Sequence, residues 1–169
     1  MENKEQKDLP IGVFDSGVGG LSLLRELQRL LPNEDFIYYG DRANAPYGTK
    51  THEEILDISK GIFDELIKRG CKAIVVACNT ATAVAIEPLR AAYPSLPIIG
   101  IEPAVKPARL SGCKRVLVLA TPVTVSESRF AALLRANSDS GCEFIGVPCH
   151  ELAFMIENGK TSDEIEEYM

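Results

Sequence analysis

No apolar run approaches the eighteen or more residues that crossing a bilayer requires, and the first ten residues, MENKEQKDLP, lack the apolar core of a secretory signal. A membrane partner is therefore not expected, and the cytoplasm is the expected location. An excess of positive charge is missing too. The 18 Lys and Arg are interspersed among 24 Asp and Glu, for a net charge of -6. That balance supplies no field to gather phosphates, so nucleic acid is not an expected partner. No C-x-x-C spacing occurs, and the five cysteines (Cys71, Cys78, Cys113, Cys142 and Cys149) are odd in number. Neither a disulfide framework nor a structural zinc site is expected. Histidine is scarce, and neither copy suggests chemistry. His52 lies one residue into a capped helix, and His150 is adjacent to Cys149, where neighbouring residues do not orient each other as base and nucleophile. Low-complexity tracts and recognisable internal repeats are also absent.

What is present is the composition of a globular protein, 46% hydrophobic and 25% charged, with 169 residues for one domain or about one and a half. After a polar stretch over 1–10, expected to be disordered, short apolar runs alternate with helical periodicity. Strands are expected at Ile11–Phe14, Phe36–Tyr39, Ala73–Ala77, Pro97–Ile101, Arg115–Leu119 and Glu143–Val147. Between them, Leu21, Leu24, Leu27 and Leu31 recur at helical spacing before Pro32. Thr51-x-x-Glu54 is a capping-box signal for a helix whose stripe is Ile55, Ile58, Ile62, Leu66 and Ile67. About ten helical residues are expected after Asn79-Thr80, then helices over Pro103–Leu110, Val125–Ala136 and Leu152–Glu157. A last one opens at Thr161-x-x-Glu164.

This alternation predicts an α/β fold of parallel sheets flanked by helices, with strands short and continuously apolar as if buried on both faces. The Pro-rich stretch from Ile101 to Pro107 divides it into a first α/β domain, 11–101, and part of a second, 102–169.

Ligands of such folds bind beyond the carboxyl ends of the strands. Three consecutive strand ends carry polar or turn-forming groups: Asp15-Ser16-Gly17, then Asp41 with Pro46-Tyr47-Gly48, then Cys78-Asn79-Thr80. Parallel strands put all three on one rim. Each also has a bland reading. Asp15 and Ser16 read equally as helix caps, Pro46-Tyr47-Gly48 as a turn, and Asn79-Thr80 as another cap. Cys78 resists that treatment, because it stands at the junction of a strand with a helix N-terminus. There backbone N–H groups and the helix dipole favour a thiolate, so it is expected to react faster than Cys71 or Cys113. Those two follow a helix-ending glycine on the opposite rim and read as structural. A nucleotide site competes for the same turn: Gly17-x-Gly19 follows a strand, and Asp41 lies where a ribose-binding acid would. The third fingerprint glycine is replaced by Ser22, however, and the reading leaves Cys78-Asn79-Thr80 unused.

The stretches IGVFDSGVGGLSLLREL (11–27), YYGDRANAPYGTK (38–50), AIVVACNTATA (73–83), PIIGIEPAVKPA (97–108) and ATPVTV (120–125) together resemble the glutamate racemases, within the aspartate/glutamate racemase superfamily. The resemblance implies two similar α/β domains facing each other across a cleft, using neither pyridoxal phosphate nor metal. It implies a small-molecule substrate, D- or L-glutamate, for peptidoglycan synthesis, and leaves room for a homodimer. In that reading Cys78 is one of two cysteine acid/bases, and Asp15 orients the substrate ammonium and assists proton transfer, with Ser16 beside it. Asn79 and Thr80 hold a carboxylate, Tyr47 and Gly48 line the cleft, and Thr121, with Thr124, reaches in from the second domain. One departure is large. The family's second cysteine lies in a Gly-Cys-Thr-His stretch, and no Cys-Thr-His occurs here. Cys149 matches a position where the family has Cys-Pro. The expectation is thus a fragment, inactive by itself, or a diverged binding module.

Overall fold

A computed structural model describes residues 8–138 and 141–169. Most of the stretch expected to be disordered, residues 1–7, lies outside the described residues. The chain divides into two compact units, 1–101 and 102–169. Among the described residues no helix is long and apolar enough to cross a membrane.

The first unit follows the order β1 (Ile11–Asp15), α1 (Leu21–Leu30), β2 (Phe36–Gly40), α2 (His52–Lys68), β3 (Ala73–Val76), α3 (Asn79–Ala92) and β4 (Ile98–Gly100). A single 3-10 turn, Tyr47–Thr49, interrupts the loop between β2 and α2. All strand pairs are parallel, in the order β2-β1-β3-β4. Strand order therefore reverses between β1 and β3, the place where open α/β sheets leave a crevice for a ligand. On one face of the sheet Val13, Val75 and Ala77 pack under Leu23, Leu24 and Leu27 of α1. Phe14, Phe63, Ile55, Leu66, Ile74, Val76, Ile86 and Leu89 are fully buried, drawn from β1, β3, α2 and α3. Thr51 opens α2 with the expected capping box, the Glu54 N–H donating to Thr51 Oγ1 at 3.2 Å and the Thr51 N–H to Glu54 Oε2 at 2.7 Å.

Helix α3 is longer than its sequence suggests. It runs for 14 residues and carries Pro88 inside it. The helix continues because Ala81, Ala85, Ile86 and Leu89 are buried on one side, and that packing offsets the lost N–H and the crowding of the proline ring.

The second unit contains α4 (Val105–Leu110), β5 (Arg115–Ala120), α5 (Pro122–Ser126), α6 (Ser128–Asn137), β6 (Glu143–Pro148), α7 (Leu152–Glu157) and α8 (Ser162–Tyr168). Strands β5 and β6 form a parallel pair, and Val105, Cys142 and Phe144 make a small core with Val116, Val118, Leu133 and Leu134. Two expectations fail here. The helix expected over Val125–Ala136 is two helices, because Glu127 is extended (φ -73, ψ 136) and Thr121 with Pro122 starts an earlier turn. Burial on both faces fails as well. Exposure alternates along β5, leaving Leu117 58% and Leu119 42% exposed, because helices cover one face only.

Two glycines let the first unit's strand ends approach the turn after β1. A Cβ on Gly20 would lie 2.9 Å from Asp15 Cβ and 3.0 Å from Ala77 Cβ. One on Gly40 would lie 2.5 Å from the Gly17 carbonyl oxygen, and backbone cannot step aside as a flexible side chain can. Gly40→Ala is therefore expected to destabilise the unit by about 1–3 kcal/mol, as overpacking does. Urea unfolding should show a lower midpoint at unchanged slope; an unaltered midpoint would contradict the close approach.

Candidate functional site

Strand register assembles the site. Asp15 is paired with Gly40, and Phe14 with Val76, so the ends of β1, β2 and β3 lie side by side. Asp41 donates its N–H to the Asp15 carbonyl at 2.9 Å, and Ala77 donates to the Phe14 carbonyl at 2.6 Å. The chain thus leaves three neighbouring strands at one rim, bringing Asp15-Ser16, Asp41 and Cys78 together.

Asp15 is 5% exposed, and its Oδ2 accepts the N–H of Gly20 at 2.9 Å and that of Gly17 at 3.3 Å. The Tyr38 hydroxyl, 3.4 Å from Oδ2, donates to the Gly17 carbonyl at 3.0 Å. Asp15 is thus not the cap of α1, whose N-cap is Gly20, but one of its oxygens holds the turn that leads into that helix. All three of these contacts reach Oδ2, and Oδ1 receives none of them.

Cys78 is the N-cap of α3, its sulfur accepting the Ala81 N–H at 3.4 Å. Its thiol donates to Ser16 Oγ at 3.2 Å, joining residues 62 positions apart in the chain. The thiolate expected from the helix N-terminus is not what the surroundings favour. Burial pushes the thiol up from its ordinary range, and the Asp15 carboxylate adds to that. The hydrogen bonds from Ser16 and the Ala81 N–H pull the other way without reversing it. A helix end stabilises an anion by about 0.3–1 kcal/mol when exposed, less than burial beside a carboxylate costs.

Other candidates fall as follows. Thr80 is buried and Asn79 exposed, both in the first turn of α3. Tyr47 is only 2% exposed. Its hydroxyl donates to Asp41 Oδ2 at 2.6 Å, and its ring stacks at a tilt on Phe14, centroids 6.2 Å apart. Burial and Asp41 hold the phenol far above its ordinary range, which keeps it protonated. Gly48 follows it, half-buried. Thr121 belongs to the second unit, where it caps α5 and its Oγ1 lies 2.9 Å from that of the buried Thr124. Cys71 is buried and Cys113 exposed, each preceding a strand, while Cys149 is buried beside an exposed His150. Sequence reasoning missed Tyr38; it placed Asp41 on the rim but named no role for it other than a nucleotide one.

That nucleotide role does not fit. The Gly17 and Gly20 N–H groups, which a phosphate would need, are taken by Asp15. Both Asp41 oxygens accept from Asn44 Nδ2, at 3.0 and 2.9 Å, and Oδ2 also accepts from Tyr47, so the carboxylate is engaged within its own loop.

A carboxylate and a thiol are buried together at the switch point of a parallel α/β sheet, and the chain belongs to the Asp/Glu/Hydantoin racemase family, which matches residues 11–168. Among its relatives is a glutamate racemase of Clostridium botulinum (strain Alaska E43), 46% identical over 167 residues. The match takes in 98% of this chain and 64% of that protein, so the chain spans less than two thirds of the relative's length. Of solved structures, a glutamate racemase isoform from Bacillus anthracis superposes with a TM-score of 0.83 at 33% identity. The match covers 96% of this chain and 61% of that one. The glutamate racemase of Francisella tularensis, solved in complex with D-glutamate, gives 0.74 at 37% identity over 90% and 57% of the two chains. The first of these structural neighbours also carries the family's two-domain α/β fold.

The site's electrostatics set an order of reactivity. With its thiol held up, Cys78 should alkylate with iodoacetamide more slowly near neutral pH than exposed Cys113, and accelerate at higher pH. Asp15→Asn removes the like charge and lowers the Cys78 pKa. It should therefore raise the labelling rate of Cys78, and of no other cysteine, at pH 7.5. Peptide mass spectrometry reads this directly, and an unchanged Cys78 rate would contradict the coupling.

Proposed function

We propose that this chain provides one acid/base face of a cofactor-independent glutamate racemase, with Cys78 exchanging the substrate's α-proton. The observation that carries the reading is buried Asp15 and Cys78, with half-buried Ser16 bonded to the thiol, at the β1/β3 rim of a chain in this family. Its support from relatives is their naming as glutamate racemases and the Francisella protein's complex with D-glutamate.

In this mechanism the Cys78 thiolate takes the α-proton. An S–H bond forms, the C–H bond breaks, and its electron pair delocalises into the α-carboxylate. A donor on the opposite face then returns a proton to the same carbon, inverting it. The resting thiol is not yet that base. A substrate ammonium beside Asp15 would neutralise the carboxylate that disfavours the thiolate, so ligand binding itself lowers the barrier to ionising Cys78. Asn79 and Thr80, in the first turn of α3, would hold a carboxylate with side chains and backbone N–H groups. By family resemblance the second base is a cysteine in Gly-Cys-Thr-His, which has no counterpart in these 169 residues. We therefore propose that these residues alone do not racemise glutamate. The whole enzyme's D-glutamate would supply peptidoglycan synthesis in the cytoplasm.

Calorimetry separates this reading from a nucleotide-binding one. D- or L-glutamate should bind, and Asp15→Ala or Thr80→Ala should weaken binding at least tenfold, about 1.4 kcal/mol. Nicotinamide and adenine nucleotides should give no heat. Tight dinucleotide binding, or glutamate binding indifferent to both substitutions, would overturn the proposal.

A further inference from the structure

Asp41 has no part in the proposed proton transfer, yet it is 5% exposed and hydrogen-bonded to both the Asp15 strand end and Tyr47. Its N–H donates to the Asp15 carbonyl at 2.9 Å, tying it to β1. Its carboxylate accepts from Asn44 Nδ2 on both oxygens and from the Tyr47 hydroxyl on Oδ2. These side-chain donors come from the next six residues, so the carboxylate folds the loop around itself. No Lys or Arg is among them. The bond to Tyr47, at 2.6 Å, has the short length of a charge-assisted O–H···O contact. Tyr47 carries the anchoring onward, stacking on Phe14 and beginning the 3-10 turn that packs against α3, the helix Cys78 caps. Tyr47 also lies near enough to Cys78 for a thiolate there to raise the phenol further.

A loop fastened only for stability needs no buried anion, because an apolar anchor avoids the desolvation cost altogether. We infer that Asp41 is a positioning residue: acting through Tyr47, it holds the Tyr47-Gly48 turn as the wall beside Cys78, in register with the Asp15 turn that its own N–H supports. The role of that wall in glutamate binding rests on the function proposed above. The coupling of Asp41 and Tyr47 to Cys78 access does not.

The test is iodoacetamide labelling of the 169-residue chain, followed cysteine by cysteine, for wild type, Asp41→Asn, Asp41→Ala, Tyr47→Phe and the double variant Asp41→Asn/Tyr47→Phe. Tyr47→Phe keeps the ring and the Asp41 charge, so its effect is neither a cavity nor an altered field. Cys78 should label at least tenfold faster in Asp41→Ala and Tyr47→Phe, with buried Cys71 unchanged. The double variant should be no faster than its faster parent, as expected of two groups acting through one bond. A purely structural role would accelerate Cys71 and Cys78 together, and that result would overturn the inference. So would an unchanged Cys78 rate in Tyr47→Phe, or additive effects in the double variant. D-glutamate added to the same reactions forms a separate arm. Protection of Cys78 in wild type, lost in Asp41→Ala, extends the role to ligand binding. No protection of wild type counts against the proposed function, while the ratios of labelling rates still decide the role of Asp41.

Discussion

Strand β1 is hydrogen-bonded on both sides, to β2 and to β3, and the parallel register fixes where each chain segment leaves the sheet. Asp15 comes out opposite Gly40, and Ala77-Cys78 emerges one step beyond Val76. No side chain has to search for its partner, because the backbone ladder has already set the carboxylate and the thiol at one rim. A slip of one residue would turn Asp15 into the opposite face and remove the acceptor for the Gly17 and Gly20 N–H groups. The small residues at 20 and 40 serve the same constraint, letting the turn and the neighbouring strand end close to contact.

Burial then decides the chemistry. A thiol at a helix N-terminus is often activated, but the same geometry buried beside a carboxylate favours the protonated form. A resting thiol is protected from oxidants and alkylating agents, since the thiolate is the reactive species. In the proposed mechanism the field that restrains Cys78 is cancelled by the ligand's own charge, so reactivity appears with substrate in place. Preorganised N–H donors and exclusion of water would supply the remaining stabilisation of a carbanion.

Much of this was legible in the sequence, for identifiable reasons. Strands β1 to β6 carry continuous apolar runs between turn residues, and the capping boxes at Thr51 and Thr161 mark two helix starts. The convergence of Asp15, Ser16 and Cys78 follows from parallel strands alone. Three features were not legible. The thiol's state depends on the net of burial, charge and hydrogen bonds, which no local pattern reports. Tyr47 reads as a loop residue, and its burial depends on partners that no local pattern reports: Asp41, six positions away and also in a loop, and the Phe14 ring. The open face of β5 and β6 is invisible because Leu117, Leu119 and Ile145 are as apolar as residues that are covered.

The central claim is that Cys78 is a single acid/base on one face of the substrate carbon. Proton NMR of glutamate α-hydrogen loss in deuterated water, with the 169-residue chain and each enantiomer in turn, tests it most directly. The account predicts exchange confined to one enantiomer, without accumulation of the other and abolished by Cys78→Ser. Racemisation in both directions by this chain, or exchange that survives Cys78→Ser, would contradict it.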